Sequence, residues 1–106
     1  MGKTQGRMGF ELKGIFVLSE EDQATDEAVN FDGEEIIILL PLDKSRVASD
    51  FDRYAKRLRS KAQEIKGMLK DKGVRAKVVV EWGEKDEVVR NASLREYARV
   101  LNESEG

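Results

Sequence analysis

Polar residues that could bind a ligand follow each of the three apolar segments of this chain, which are residues 10–18, 35–42 and 74–82. They are the polar residues Ser19, Asp43 and Glu84, together with the neighbouring Gly83. If the three segments are parallel strands, the residues lie at strand carboxyl ends, where open α/β sheets bind their ligands. The sequence therefore predicts a small-ligand or nucleotide site at these positions.

Carboxylates cluster around the last of these positions, at Glu81, Glu84, Asp86 and Glu87. Acidic residues at the start of a helix also stabilise its positive end without any ligand. That structural role is the better explanation of the cluster.

Other reaction chemistry is restricted by composition, because the 106 residues contain no cysteine and no histidine. Disulfides, thiolate nucleophiles and histidine-based catalytic or zinc sites are therefore excluded. The acidic segment 20–35 includes Asn30-Phe31-Asp32-Gly33, which resembles part of a calcium loop, but the glutamate required later falls at Leu39. We interpret this segment as a solvated connection, and we predict no catalytic residue, no metal and no cofactor.

The three apolar segments carry the patterns of β-strands. The strand predicted over residues 10–18 enters the core only in its second part. Residues 35–42 form an apolar run of the kind that is buried on both faces of a parallel sheet. Residues 74–82 alternate, with one more polar face, which indicates an edge strand. Within this strand Trp82 is expected in the core.

A long amphipathic helix over residues 43–72 is the clearest feature of the sequence. Its apolar stripe consists of Val47, Phe51, Tyr54, Leu58, Ala62, Ile65 and Leu69. Gly73 is expected to end the helix. A shorter helix is predicted over residues 20–29. A last helical region is predicted over residues 85–103, with a kink near Asn91 because Ser93-Leu94-Arg95-Glu96 matches a capping box.

These elements predict an α/β fold. Residues 10–103 would form a single small domain of two or three layers, preceded by a flexible segment 1–9. The sheet would contain three mainly parallel strands in the order 1-2-3, covered by one long and one or two shorter helices. The alternative is an α+β fold in which residues 10–18 and 35–42 form an antiparallel hairpin.

Charge is sorted along the chain. Residues 1–43 carry a net charge of −7, residues 44–80 of +8 and residues 81–106 of −3. The bases of the long helix are spread over its whole polar face, which disfavours a nucleic-acid groove reader. Arg53, Arg57 and Lys61 nevertheless repeat at every fourth position, where like charges repel. We therefore predict that this row contacts an acidic surface, such as the segment 20–35 or a protein partner.

Three stretches of the chain resemble a universal-stress-protein-like α/β domain. They are residues 15–21, residues 72–80 at the end of the long helix, and residues 82–89. The resemblance implies the fold only. Members that bind nucleotides have an Asp in the first loop, where this chain has Val17-Leu18-Ser19, so nucleotide binding is not carried over to any residue here.

Taken together, these patterns predict a non-catalytic regulatory or protein-interaction domain, either as a protein in its own right or as a cytosolic module of a larger protein. A helix of 28 residues would span about 42 Å and a strand of eight residues about 26 Å, so the helix overhangs the sheet. The overhang and two open sheet edges favour a homodimer.

The longest apolar run is too short to span a membrane, and the amino terminus lacks an apolar leader, so we expect a cytoplasmic protein. The composition also suits a thermophile. Nucleic-acid binding through residues 44–77 and small-ligand binding at the strand ends are the alternatives.

Overall fold

The computed structural model describes residues 13–20, 23–43 and 51–102. The strands are β1 (Lys13–Val17), β2 (Glu35–Leu42), β3 (Arg75–Trp82) and β4 (Arg99–Val100), and the helices are α1 (Asp26–Val29), α2 (Phe51–Asp71) and α3 (Lys85–Glu96). The predicted flexible segment 1–9, the first part of the predicted strand 10–18 and residues 44–50 of the predicted long helix lie outside the described residues.

All four strands form one parallel sheet in the order β3-β2-β1-β4. The α/β class and the neighbour relations of the first three strands are as predicted, whereas the expectation of three strands was wrong. The hairpin alternative was also wrong, because β1 pairs with β2 in parallel register, with Ile15 opposite Ile37. The missed strand, β4, pairs with β1 through only two residues, which is too short for a periodic pattern.

Helices cover both faces of the sheet, so the domain has three layers. On one face, α1 and α2 bury the side chains that alternate along the strands, such as Phe16 of β1 and Ile38 of β2. On the other face, α3 packs through Val88 and Ala92 against a smaller cluster that includes Ile15 and Leu39. The strand β2 is buried on both faces from Ile36 onward, as the apolar run predicted.

The long helix α2 buries Leu58, Ala62, Ile65 and Leu69, which confirms the predicted stripe over the described residues. It ends where Gly73 takes a φ of +83° and the N–H of Val74 donates to the carbonyl of Leu69 (3.0 Å). The 21 described residues span about 32 Å. This is close to the strand length of about 26 Å, so within the described residues the overhang that favoured a dimer is small. No described helix combines the length and the apolar composition of a membrane span.

The last helical region contains one helix, α3, which ends earlier than predicted. Tyr97 adopts a left-handed conformation (φ 52°) and stops the helix. Ser93 then holds Ala98 twice, since its carbonyl accepts from the N–H of Ala98 (3.2 Å) and its hydroxyl donates to the carbonyl of Ala98 (2.8 Å). The predicted capping box at Ser93 was therefore wrong, because the residue acts at the end of a helix. At the end of α3, the side chains of Leu94 and Tyr97 are 74% and 70% exposed.

Ion pairs fasten the carboxyl end of α3 to the sheet. Lys13 lies 3.6 Å from Glu96 and 3.8 Å from Glu35. Arg95 donates to Glu81 of β3 (2.6 Å), and this hydrogen bond together with the charge of Glu81 raises the pKa of Arg95 above its usual value.

Trp82 was expected in the core, and this prediction was wrong. Its side chain is 59% exposed at the last position of the edge strand β3. The ring stacks on Phe51, with 5.3 Å between the ring centroids.

Candidate functional site

The order of the strands creates a crevice between β1 and β4. The connections from β1 to β2 and from β2 to β3 pass over one face through α1 and α2, whereas the connection from β3 to β4 passes over the other face through α3. The strand order therefore reverses between β1 and β4, and the connections on the two sides of this reversal cover opposite faces of the sheet. In open parallel sheets, this reversal is where ligands bind.

Asn102 forms the floor of the crevice. The N–H of Val17 donates to Oδ1 of Asn102 (2.9 Å), and Nδ2 of Asn102 donates to the carbonyl of Val17 (2.8 Å). Just before it, the N–H of Leu101 donates to the carbonyl of Ile15 (2.8 Å). The amide side chain thus replaces the next peptide group of β4 and satisfies the edge of β1 beyond the end of the main-chain pairing.

Gln23 closes the loop that follows β1. Its Oε1 accepts from the N–H groups of Ser19 (2.9 Å) and Glu20 (3.2 Å), and its Nε2 donates to the carbonyl of Val17 (2.6 Å). These bonds fold the segment back onto β1, and among the described residues of the helix predicted over residues 20–29, only the four residues of α1 are helical. The carbonyl of Val17 therefore accepts from two amide side chains, one from each side of the crevice.

Two side chains of α2 also donate hydrogen bonds to the loop that follows β1. The hydroxyl of Tyr54 donates to the carbonyl of Ser19, and Nζ of Lys61 donates to the carbonyl of Gln23 (2.9 Å). Tyr54, which was expected in the core, is half-buried and uses its polar end for this contact. The loop is therefore positioned by the core, by β1 and by the long helix together.

Above this floor lies an open groove of about 1010 Å³ between the loop and α3. Its rim carries three cationic and two anionic side chains, along with two hydroxyls and an apolar strip. The cations are Lys85, Arg90 and Arg99; the anions are Glu20 and Asp86; the hydroxyls are Ser19 and Ser93; the apolar side chains are Val89, Leu94 and Val100. The volume lies at the upper end of the range usual for small-molecule sites.

The four predicted ligand-binding residues separate into two groups. Ser19 lines the groove, and Glu84 immediately precedes α3 as its N-cap, next to the groove residue Lys85. Gly83 lies at the end of β2 and β3, where its N–H donates to the carbonyl of Leu42 (3.0 Å), and Asp43 follows Leu42. Glu84, Gly83 and Asp43 are not among the residues that line the groove, so of the four only Ser19 does.

The predicted basic row is brought together on the exposed side of α2. Arg53, Arg57 and Lys61 line one shallow depression of about 530 Å³, together with Lys56, Ser60 and Glu64. Lys61 points to the loop after β1 through its bond to the carbonyl of Gln23. The row therefore borders the segment 20–35, which the charge pattern had suggested as its partner.

Sequence reasoning missed the two amides that build the groove, Gln23 and Asn102. Each acts on main-chain groups of β1, and no local pattern in the sequence marks such a contact. A short polar residue directly after two apolar residues, as in Arg99-Val100-Leu101-Asn102, is consistent with a strand end but does not identify one. Among the described residues, no group of three or more acidic side chains is placed to hold a metal ion.

Comparisons with protein-family models, with curated proteins and with solved structures found no match for this chain.

Proposed function

We propose that this chain is a non-catalytic regulatory domain that binds a small polar ligand in the groove between β1 and β4. The observation that carries the proposal is the double anchoring of Val17 by Asn102 and Gln23 at the point where the strand order reverses. It gives the groove a floor that is formed before any ligand arrives. A preformed site loses less conformational entropy on binding.

The chemistry of the rim suggests the class of ligand. Three cations against two anions give the groove a small excess of positive charge, and the cations come from both α3 and β4. The apolar strip offers a surface for a ring or an alkyl group. We infer a ligand that combines an apolar body with at least one phosphate or carboxylate group, of a size up to that of a nucleotide.

A binding role fits these residues better than a reaction. The chain has no histidine or cysteine to supply a nucleophile or a base near neutral pH. The amides of Gln23 and Asn102 are already engaged with the main chain, so they shape the groove. Regulation follows if ligand occupancy changes how the domain contacts another protein or another part of its own chain.

The experiment is a thermal-shift screen of the full chain against nucleoside phosphates, dinucleotides and small organic acids, followed by calorimetry. We expect at least one such anion to raise the melting temperature, and Arg90→Ala to weaken its affinity about tenfold or more. Arg59→Ala is the matched control, because Arg59 is exposed on α2 and does not line the groove. No stabilising anion, or equal affinity in both variants, would count against the proposal.

A second function is supported by the basic row of Arg53, Arg57 and Lys61. Cations gathered along one depression have the charge that suits an acidic protein surface. We propose protein interaction through this row, and the double variant Arg53→Glu/Arg57→Glu should abolish capture of that partner. Nucleic-acid binding is not proposed, since the bases occupy the whole polar face of α2.

The relationship to universal-stress-protein-like domains also remains a proposal, and the alternation of strands and helices around a parallel sheet supports it. A cytoplasmic location belongs to the same proposal, and the lack of cysteine agrees with it.

A further inference from the structure

The outer edge of β3 exposes backbone groups that no strand among residues 13–20, 23–43 and 51–102 pairs with. The N–H of Arg75 donates to Glu34 and the N–H of Gly83 donates to Leu42, so the odd-numbered residues of β3 face β2. The even-numbered residues therefore direct both their N–H and C=O groups outward. They are Ala76, Val78, Val80 and Trp82.

The side chains along this edge are arranged asymmetrically. On the face covered by α3, the exposed cations Arg75 and Lys77 come first and the anion Glu81 comes last, with Val79 between them. On the other face, small Ala76 comes first and exposed Trp82 comes last. An antiparallel second copy would place cations opposite anions, whereas a parallel copy in equivalent register would place like charges together.

We propose that the protein forms a homodimer by antiparallel pairing of two β3 strands, with Val79 on the twofold axis. Two residues that face each other in an antiparallel pair must both direct their backbone groups toward the other copy, or both direct them back toward β2 of their own sheet. With Val79 on the axis, the facing pairs are Val78 with Val80, Lys77 with Glu81, and Ala76 with Trp82. Each pair is complementary, respectively in shape, charge and size.

The neighbouring registers are poorer. Placing Val78 on the axis sets Arg75 opposite Glu81 but leaves Lys77 opposite Val79 and Trp82 opposite Val74. Placing Val80 on the axis sets Glu81 opposite Val79 and Lys77 opposite Gly83, so no charge pair forms. Only the Val79 register covers the exposed Trp82 with a small side chain and pairs opposite charges at both ends.

The dimer is independent of the groove, because β3 and β4 lie at opposite edges of the sheet. Pairing would join two four-stranded sheets into one continuous sheet and satisfy the outward groups of both copies. Glu81 would keep its bond to Arg95 while facing Lys77 of the second copy. An edge covered in this way no longer offers a template for aggregation.

The first experiment measures the mass of the full chain by sedimentation equilibrium from micromolar to near-millimolar concentration. We expect a dimer whose dissociation constant rises about tenfold or more in Lys77→Glu, since two like-charge pairs replace two opposite-charge pairs. Val78→Pro removes an outward N–H that β2 does not use, and it should also leave a monomer. Circular dichroism checks that each variant is folded.

The second experiment tests the register directly and stays informative if one variant misfolds. The chain has no cysteine, so a Val79→Cys variant can form a disulfide only between two copies. Across the axis the two sulfur-bearing residues face each other about 4.5 Å apart at Cα, which permits a disulfide. Lys77→Cys is the matched control, because its counterpart lies about four residues, or roughly 13 Å, along the strand.

We expect rapid oxidative cross-linking of the Val79→Cys variant and little of the Lys77→Cys variant. Equal cross-linking of both would overturn the register. A monomer at every concentration, or a dimer that Lys77→Glu and Val78→Pro leave unchanged, would overturn the proposal itself.

Discussion

The side chain of Asn102 bonds to both backbone groups of Val17 and so continues the parallel pairing of β4 with β1. The two residues are 85 positions apart in the chain. Through this contact the last described residue of the domain completes the edge of its first strand. The floor of the groove therefore depends on the two ends of the described chain meeting.

Asn102→Ala removes both bonds at once. We expect it to lower the free energy of unfolding by about 1–3 kcal/mol, because two buried or half-buried backbone groups of Val17 lose a partner. Urea denaturation measures the loss, with Asn91→Ala as the control, since Asn91 is exposed on α3. An effect of Asn102→Ala no larger than that of Asn91→Ala would refute the structural role assigned to this side chain.

Gln23→Glu keeps an acceptor for the N–H groups of Ser19 and Glu20 but places a carboxylate oxygen against the carbonyl of Val17. We expect about 1–2 kcal/mol of destabilisation and faster exchange of these two amide protons. Hydrogen exchange followed by NMR provides the measurement. Gln63→Glu is the control, because Gln63 is exposed on α2 and should leave the exchange rates unchanged.

Two glycine-to-alanine changes should have opposite signs. A Cβ on Gly14 would lie 2.9 Å from Cε1 of Phe31 and 3.0 Å from Cδ2 of Leu101, so Gly14→Ala should destabilise the domain by about 1–3 kcal/mol through overpacking. A Cβ on Gly67 meets nothing within 4 Å, and alanine is favoured within a helix. Gly67→Ala should therefore stabilise the domain by about 0.5–1 kcal/mol. Thermal unfolding of the two variants side by side tests the contrast, which fails if both shift the melting temperature in the same direction.

Tyr54→Phe removes only the hydroxyl that donates to the carbonyl of Ser19. We expect a loss of about 0.5–1.5 kcal/mol in stability, together with weaker binding of any groove ligand, because the loop after β1 loses one of its anchors to α2. Calorimetry and urea unfolding measure the two effects. If binding and stability both match the wild type, Tyr54 serves only to fill space beside the core.

Much of the fold could be predicted because the pattern lies within single elements. The stripe from Leu58 to Leu69 repeats at helical spacing, and the apolar run after Glu35 is long enough for one buried strand. Gly73 ends α2 because a left-handed residue is required there. Each of these features depends on residues a few positions apart, so the local sequence contains the information.

The candidate site was predicted only in part. Ser19, Asp43, Gly83 and Glu84 all follow strand carboxyl ends, but only Ser19 lines the groove. The reversal of strand order that places the groove between β1 and β4 requires β4. That strand has two residues and no periodic signal of its own, and it is held in place by β1. Trp82 is exposed because it is the last residue of β3, the outer strand of the sheet. The alternating pattern of β3 could not predict this, because it does not show how far along the strand a helix covers the sheet.

The sequence by itself determined the elements, their order and the restricted chemistry of a chain without histidine or cysteine. Periodicity and composition are local or additive properties, so they can be obtained without coordinates. Only the tertiary structure decided where the strand order reverses and that Gln23 and Asn102 bind the same carbonyl of Val17. It also decided which strand edge stays open within the described residues. These relationships join residues far apart in the chain, and only packing of the whole sheet brings them within hydrogen-bond distance.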